Sequence, residues 1–366
     1  MVKKQTQRNL SLIFSVFALL AYGLIALYSA STVDSYKNFG NTTYYVVHQL
    51  IYGVALGLIG MLITSGLDYH LWEKYLKILI LGTLVALIMV KIPGFGFSAG
   101  GASRWIHIGF LFFQPAELAK LAIVVYIAAW VNKRKNNLNN FYLGVLPSLT
   151  ITALFAALIL WQPDLGTMLV LVLVSVTMLF AAGISWKYFF WTMVLGALSL
   201  YAFIRFAPYR ARRLTTFLNP EIDPQGISYH INQALLAIGA GGMWGYGYGL
   251  SRQKHNYLPE VMGDSVFAVT AEELGFVRIV FVIVFFVWFI LEGFAVAKNA
   301  PDTLGKMLAM GITSWLGLQA LINIGAMVNL VPLTGIPLPF FSYGGTAMII
   351  NLSAIGILLN ISKQSR

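Results

Sequence analysis

Cysteine is absent from the 366 residues. That excludes a disulfide framework and any thiolate-bound metal, and it leaves the redox compartment undefined. Charge is also scarce: Asp, Glu, Lys and Arg make up 10% of the chain, against about 25% in an ordinary soluble domain. A water-soluble globule is excluded. Acidic residues number only 13 beside 24 Lys and Arg, giving a net charge of +11, which by itself would suit nucleic acid. The basic residues, however, fall in short clusters between apolar runs, as membrane topology determinants do, so nucleic acid is not an expected partner. The five histidines (His48, His70, His107, His230, His255) have no metal-ligand spacing, and the chain shows no phosphate-binding P-loop, no nucleophile elbow and no Ser-His-Asp order. No internal repeat stands out.

What fills the chain is apolar: 58% of its residues are hydrophobic. The fold class this predicts is an all-α polytopic membrane protein, a single membrane domain over residues 1–366. Hydrophobic windows place about ten transmembrane helices near 10–30, 45–65, 76–92, 115–131, 142–160, 167–184, 187–206, 265–292, 306–328 and 344–361. The first window is long enough to span a bilayer, so it reads as a transmembrane helix rather than a signal peptide. With the N-terminus cytoplasmic, the inner segments hold Lys3, Lys4, Arg8, Lys74, Lys77, Lys133, Arg134, Lys135, Lys187, Lys298, Lys306, Lys363 and Arg366, while the short outer loops hold Lys37, Lys91 and Arg104. Both termini are therefore expected in the cytoplasm.

A large outer loop, about 207–264, separates spans seven and eight. Loops of that length are usually functional or disordered, and this one is rich in chemistry. It carries an apolar helical stretch, 231–245, too short to span, which predicts a helix in the interface or tucked against the bundle. Two shorter loops, 92–110 and 329–345, are rich in Gly and Pro, and all three are expected to meet on the outer face.

The charged residues concentrate at 251–276, SRQKHNYLPEVMGDSVFAVTAEELGF. Asp264 stands at the mouth of span eight. Its carboxylate reads either as a general base, raised toward neutral pH by partial burial, or as the N-cap of the following helix. Along an ideal helix Glu272 lies roughly 80° round from Asp264 and about 12 Å further on, so it either shares the cavity of Asp264 or is satisfied by neighbouring helices. Glu273 faces the other way and reads as structural. Glu117 and Lys120, three apart on span four, form an ion pair that either compensates its own charge or lines a polar cavity and positions a substrate or Asp264. Arg210, Arg212, Arg213, Arg252 and Lys254 from the large loop, with Arg104, make an anion site suited to phosphate oxygens; contact with anionic membrane lipids is the bland alternative. Trp105 and Tyr257 suit an aromatic belt.

The motifs GASRWI (101–106), QPAELAK (114–120), QPDLGT (162–167), YRARRLTTFLNP (209–220), LPEVMGDSVFAVTAEELG (258–275) and PLTGIPLPFFSYGG (332–345) resemble, in order, those of the SEDS proteins, the shape, elongation, division and sporulation proteins of bacteria. The loop motifs are more similar to the division branch than to the elongation branch. The resemblance implies ten transmembrane helices in the bacterial cytoplasmic membrane and an active site on the extracytoplasmic side. It implies peptidoglycan glycosyltransferase activity on lipid II, with Asp264 matching the essential aspartate. Arg104 and Trp105 match the arginine and tryptophan of the first outer loop, and Glu117 and Lys120 the charged pair of span four. A class B penicillin-binding protein transpeptidase and other division or elongation membrane proteins are the implied partners, and Mg or Mn the divalent cations to consider. Two departures stand out. Met262-Gly263 replaces a His-Thr pair common among relatives, and Arg278, about 21 Å along span eight from Asp264 by helical rise, has no acidic partner three or four residues away on its own helix.

In that reading Asp264 takes the proton of an acceptor sugar hydroxyl while loop arginines stabilise the departing pyrophosphate. Two other classes use the same residues: a lipid II transporter, for which intramembrane charges would mark the pathway, and a non-catalytic scaffold for the transpeptidase.

Overall fold

The computed structural model describes residues 2–99, 102–108, 111–138, 140–205, 215–219, 221–226 and 228–365. Its helices are α1 (Val2–Phe39), α2 (Tyr44–His48), α3 (Leu56–Gly66), α4 (His70–Lys74), α5 (Leu76–Met89), α6 (Pro115–Arg134), α7 (Leu146–Trp161), α8 (Leu165–Ala181), α9 (Trp186–Arg205), α10 (Tyr229–Ala240), α11 (Val266–Lys298), α12 (Thr303–Met327) and α13 (Gly345–Gln364). A π-helical stretch, Gln49–Ala55, joins α2 to α3 into one rod. Each window expected to span falls on one of these helices. Among the described residues seven helical segments are long and apolar enough to cross a membrane. The apolar helices α5 and α8 are shorter, 14 and 17 residues, or about 21 and 25 Å at 1.5 Å per residue, less than the ~30 Å hydrocarbon core.

The expectation of an all-helical chain needs one correction. Residues in the 92–113 connection form a three-stranded antiparallel sheet, β1 (Gly96–Ala99), β2 (Ala102–Ile108) and β3 (Leu111–Phe113), in the order β1-β2-β3. The segment is short and carries Trp105, Ile106 and Ile108, residue types that favour strands, which apolar windows sized for helices pass over. Pro115 at the first turn and Gln114 in extended backbone then start α6 cleanly.

Helices α6, α12 and α13 form the centre, with α3 along α13, α8 and α6 against α12, and α1 along α11. Alanines 116, 119, 122, 128 and 129 leave α6 slim enough to be enclosed, as close helix packing in lipid requires. The ends of the bundle sort by contact. At one end Ser362 meets Asn9, Asn360 Nδ2 donates to the Ser65 carbonyl (3.1 Å), and His70 reaches Asp302 Oδ2 (2.8 Å). The first and last helices thus start and finish on the same side.

The helix after Asp264 is not continuous. Gly275 in α11 has φ 77° and ψ 173°, splitting the rod into Val266–Leu274 and a longer second piece. The turn following α10 lies across the split. Tyr246 and Gly247 N–H groups donate to the Glu272 and Glu273 carbonyls (3.1 and 3.0 Å), while Phe276 and Val277 N–H groups donate to the Gly242 and Met243 carbonyls (2.8 and 3.2 Å). Groups freed by the break are thereby satisfied within protein, the condition for irregular backbone at membrane depth. The apolar stretch expected at 231–245 is this α10 and its turn, tucked against the bundle through Ile231, Ala234 and Ala237.

Candidate active site

Asp264 sits in the turn that leads into α11 and is 8% exposed. The N-cap position belongs to Ser265, which corrects the capping alternative for Asp264. The turn is fixed from outside by its backbone. Asn323 Nδ2 on α12 donates to the Asp264 carbonyl (2.9 Å), Ser342 Oγ donates to the Gly263 carbonyl (2.6 Å), and the Tyr343 N–H donates to the Met262 carbonyl (2.8 Å). The carboxylate faces backbone at Gly335: a Cβ on that residue, whose φ is +69°, would lie 3.8 Å from Asp264 Oδ2. Beside it, His230 Nε2 from α10 is 3.9 Å from Asp264 Oδ1 and 2.7 Å from Ser265 Oγ.

The ion pair of α6 reaches the same place indirectly. Lys120 Nζ donates to Glu117 Oε1 (2.8 Å) and to Gln319 Oε1 (2.7 Å), with all three residues buried. Gln319 Nε2 in turn donates to the Pro337 carbonyl (2.9 Å), and one turn further along α12 Asn323 Nδ2 also donates to the Ile336 carbonyl (2.7 Å). The pair therefore compensates its own charge and, through Gln319, holds the loop that surrounds Asp264. At 1% and 2% exposure it does not line an open cavity.

Arg104 on β2 donates from Nε to the Gln162 carbonyl (3.3 Å) and from its fork to the Pro163 carbonyl. Asp164 caps α8 through the Thr167 N–H (3.0 Å), and Gly166 packs directly on Thr334 and Ile336. The hairpin, the α8 start, the 332–343 loop and Asp264 thus form one connected region. Trp105 pairs across the hairpin with Phe97.

One expected anion ligand stands differently in the structure. Lys254 is 4% exposed and spends all three ammonium hydrogens on Glu273 Oε1 (2.9 Å), Ser29 Oγ (3.0 Å) and the Gly249 carbonyl (2.7 Å), which corrects its assignment to pyrophosphate. Glu273 is the structural carboxylate it was read to be. Glu272 is not a cavity carboxylate: its oxygens accept from Ser251 Oγ, the Arg252 N–H (2.9 Å) and the Gln253 N–H (3.3 Å), fixing the turn that follows the crossing. The ideal-helix spacing that brought it toward Asp264 also fails because Asp264 precedes α11. Arg252 is exposed, its guanidinium 5.0 Å from the Tyr246 ring. Arg210, Arg212 and Arg213 lie outside the described residues. Arg278 finds its partner off its own helix, donating to the Trp244 carbonyl (3.0 Å) at the crossing.

Among the described residues no three His, Asp or Glu side chains converge as metal ligands. Tyr343, whose hydroxyl burial pushes up to about 12, stays neutral against His48 Nδ1 (2.9 Å) at the edge of the region.

The residues missed by sequence reasoning are His230, Gln319, Asn323 and Ser342. Gln319 and Asn323 carried a legible signal: two amides one helical turn apart inside an apolar span.

The FtsW/RodA/SpoVE family model, described as cell cycle protein, matches residues 10–366. The chain belongs to that family. It is 38% identical over 366 residues to stage V sporulation protein E of Bacillus subtilis, covering all of both chains, and 39% identical over 349 residues to a probable peptidoglycan glycosyltransferase FtsW of Geobacter sp. strain M18, covering 95% of each. Among solved structures it resembles a chain of a peptidoglycan synthase complex that coordinates polymerization and crosslinking (TM-score 0.80, 28% identity, 96% of each chain) and the rod shape determining protein RodA of Thermus thermophilus (TM-score 0.70, 27% identity, 97% and 96% covered). The family fold is thus the polytopic helical membrane fold described above.

Proposed function

We propose that Asp264 is the general base of glycan polymerisation. The chain is a peptidoglycan glycosyltransferase, and the substrate we assign to it is lipid II, a disaccharide-pentapeptide on a polyprenyl pyrophosphate. One observation carries the assignment of the base: a buried carboxylate whose backbone is held on three successive residues by α12 and the 336–343 loop. A general base gains from such fixed placement, because orientation costs nothing at the moment of reaction. Asp264 takes the proton from the 4-hydroxyl of the acceptor GlcNAc. The hydroxyl oxygen bonds to the anomeric carbon of the donor MurNAc as its bond to the phosphate oxygen breaks, and polyprenyl pyrophosphate leaves with the electron pair. The α-linked donor thus gives a β-1,4 product.

The exposed Arg252 and the arginines at 210, 212 and 213 suit the charge developing on the pyrophosphate, with Mg or Mn as a cation arriving on the substrate. The lipid tails lie between helices. The reading places both termini in the bacterial cytoplasm, counts α1, the α2–α3 rod, α5, α6, α7, α8, α9, α11, α12 and α13 as the ten spans, and puts Asp264 on the extracytoplasmic side. That placement is supported by the clustering of inner basic residues and by the contacts that bring both termini to one end. A class B penicillin-binding protein is the partner, and septal wall synthesis the role.

One feature favours a second reading, a lipid II transporter: discontinuous helices such as α11 often mark transport sites. Here the break is closed by backbone, Lys254 and Glu273 are paired with each other, and Glu272 and Arg278 are held by hydrogen bonds to the loop. The test is lipid II polymerisation by the purified chain with its transpeptidase, whose own serine is disabled, alongside lipid II translocation in liposomes and with divalent cation varied. Glycan strands support the transferase; translocation without strands supports the transporter.

A further inference from the structure

His230 lies outside every motif quoted above except by neighbourhood, yet it is the imidazole nearest Asp264 among the described hydrogen bonds and ion pairs. Its protonation can be read from Ser265. The Ser265 hydroxyl has one hydrogen, and that hydrogen goes to the Pro259 carbonyl (2.8 Å). At 2.7 Å from His230 Nε2 the same oxygen must therefore accept, and Nε2 must carry the proton. The N–H edge of the ring, 3.9 Å from Asp264 Oδ1, thus presents positive charge to the carboxylate in the neutral ring and a full charge in the imidazolium.

A buried carboxylate is disfavoured in its charged form, whereas a base must be charged to act. We propose, resting on the reading of Asp264 as the base, that His230 is a positioning residue which holds Asp264 in its ionised, proton-accepting form. It does so from α10, while α12 and the 336–343 loop fix the backbone. Ser265 locks the ring: it accepts from Nε2 and is itself tied to the Pro259 carbonyl, so the imidazole cannot swing away or exchange its tautomer without breaking two bonds. Among the described residues, Asp34 from α1 and Lys254 and Glu260 from the loop line a cavity of about 320 Å³ bordered by Tyr229, the residue before His230. Lys254 is neutralised by Glu273.

The experiment is the pH profile of lipid II polymerisation by the full chain with its serine-disabled transpeptidase, for wild type, His230→Gln, His230→Ala and Asp264→Asn. Gln keeps an N–H for Ser265 but never becomes a cation. For His230→Gln the acidic limb of kcat moves up by about one pH unit, since removing a neighbouring cation makes Asp264 easier to protonate, while KM for lipid II changes less than twofold. His230→Ala shows the same shift with lower thermal stability. An acidic limb that stays in place in both variants overturns the proposal, including the case in which His230→Ala only loses stability, which would mark the histidine as a structural tie. Asp264→Asn separates the two readings. If it is inactive while His230→Gln keeps the wild-type profile, the role of His230 falls and that of Asp264 stands; if it is active, both fall.

Discussion

The Gly245 backbone nitrogen stands 2.2 Å from where a side chain on Gly275 would begin. At this point the turn after α10 lies across the broken α11, and the interval is too small for any carbon. Gly275 (φ +77°) also occupies a conformation that side chains resist, and added Cβ atoms on Gly241 and Gly245 would lie 2.3 and 2.1 Å from the carbonyl oxygens of Ala271 and Glu273.

Alanine at Gly275 is accordingly expected to cost about 3 kcal/mol or more, from backbone strain and overpacking together. Gly239→Ala is the control, because its Cβ would meet nothing within 4 Å. Thermal unfolding of both variants in detergent checks this. Equal melting curves for Gly275→Ala and wild type would show that the crossing is not needed for stability.

Lys254 and Glu273 form a buried pair, 2.9 Å apart, that ties the loop to α11 and, through Ser29, to α1. Removing one partner strands the other's charge, so Lys254→Met is expected to cost about 3–5 kcal/mol. The double variant with Glu273→Gln should recover a large part of that loss. A double-mutant cycle on unfolding reads the coupling, and strict additivity would contradict it.

How much of this was legible in the sequence differs from place to place. Apolar windows found every long helix because bilayer thickness and helical rise fix the length of a span. The Glu117–Lys120 pair was visible at i,i+3, but its link through Gln319 to Pro337 was not, because that bond joins residues distant in the chain. The break at Gly275 was hidden because one glycine within an apolar run does not announce a left-handed residue. A helix assumed to begin at Asp264 put Glu272 about 12 Å on and open to that cavity, and it did not show that the crossing turn brings the Trp244 carbonyl to Arg278. Lys254 looked like a phosphate ligand because sequence shows a charge and not the carboxylate that folding brings to it.

Lys120 gives a sharper test of what the α6 pair does. Lys120→Met leaves Glu117 uncompensated and Gln319 Oε1 with one of its two donors, Trp315 Nε1 (3.0 Å), so both stability and turnover fall, turnover by about tenfold or more as the loop around Asp264 shifts. Adding Glu117→Gln should restore stability and leave turnover low. If turnover returns with stability, the pair serves charge compensation alone.

At the opposite end, His70 joins Asp68 (2.7 Å) to Asp302 (2.8 Å). Burial works against the imidazolium, but its hydrogen bonds to both carboxylates outweigh it and raise His70 above its ordinary 6.5. The Asp68 carboxyl is held below its ordinary 3.8, first by the backbone N–H of His70 and then by its ring. The histidine's contribution is full below pH 6.5 and is lost as pH rises through its raised folded value. That of Asp68 is present above 3.8 and is lost as pH falls through its lowered folded value. The link is therefore complete between those two pH values. Melting temperature against pH should fall more steeply above pH 6.5 in wild type than in His70→Gln. Parallel curves would remove the histidine from the pH response.

The central claim is that Asp264 accepts the proton as the glycosidic bond forms, and Asp264→Asn keeps its size and removes only that capacity. Measured with its transpeptidase under saturating lipid II, the variant should be folded, should bind substrate within about threefold of wild type, and should lose turnover by at least about 100-fold. Wild-type strand synthesis by a folded Asp264→Asn protein would contradict the account at its centre.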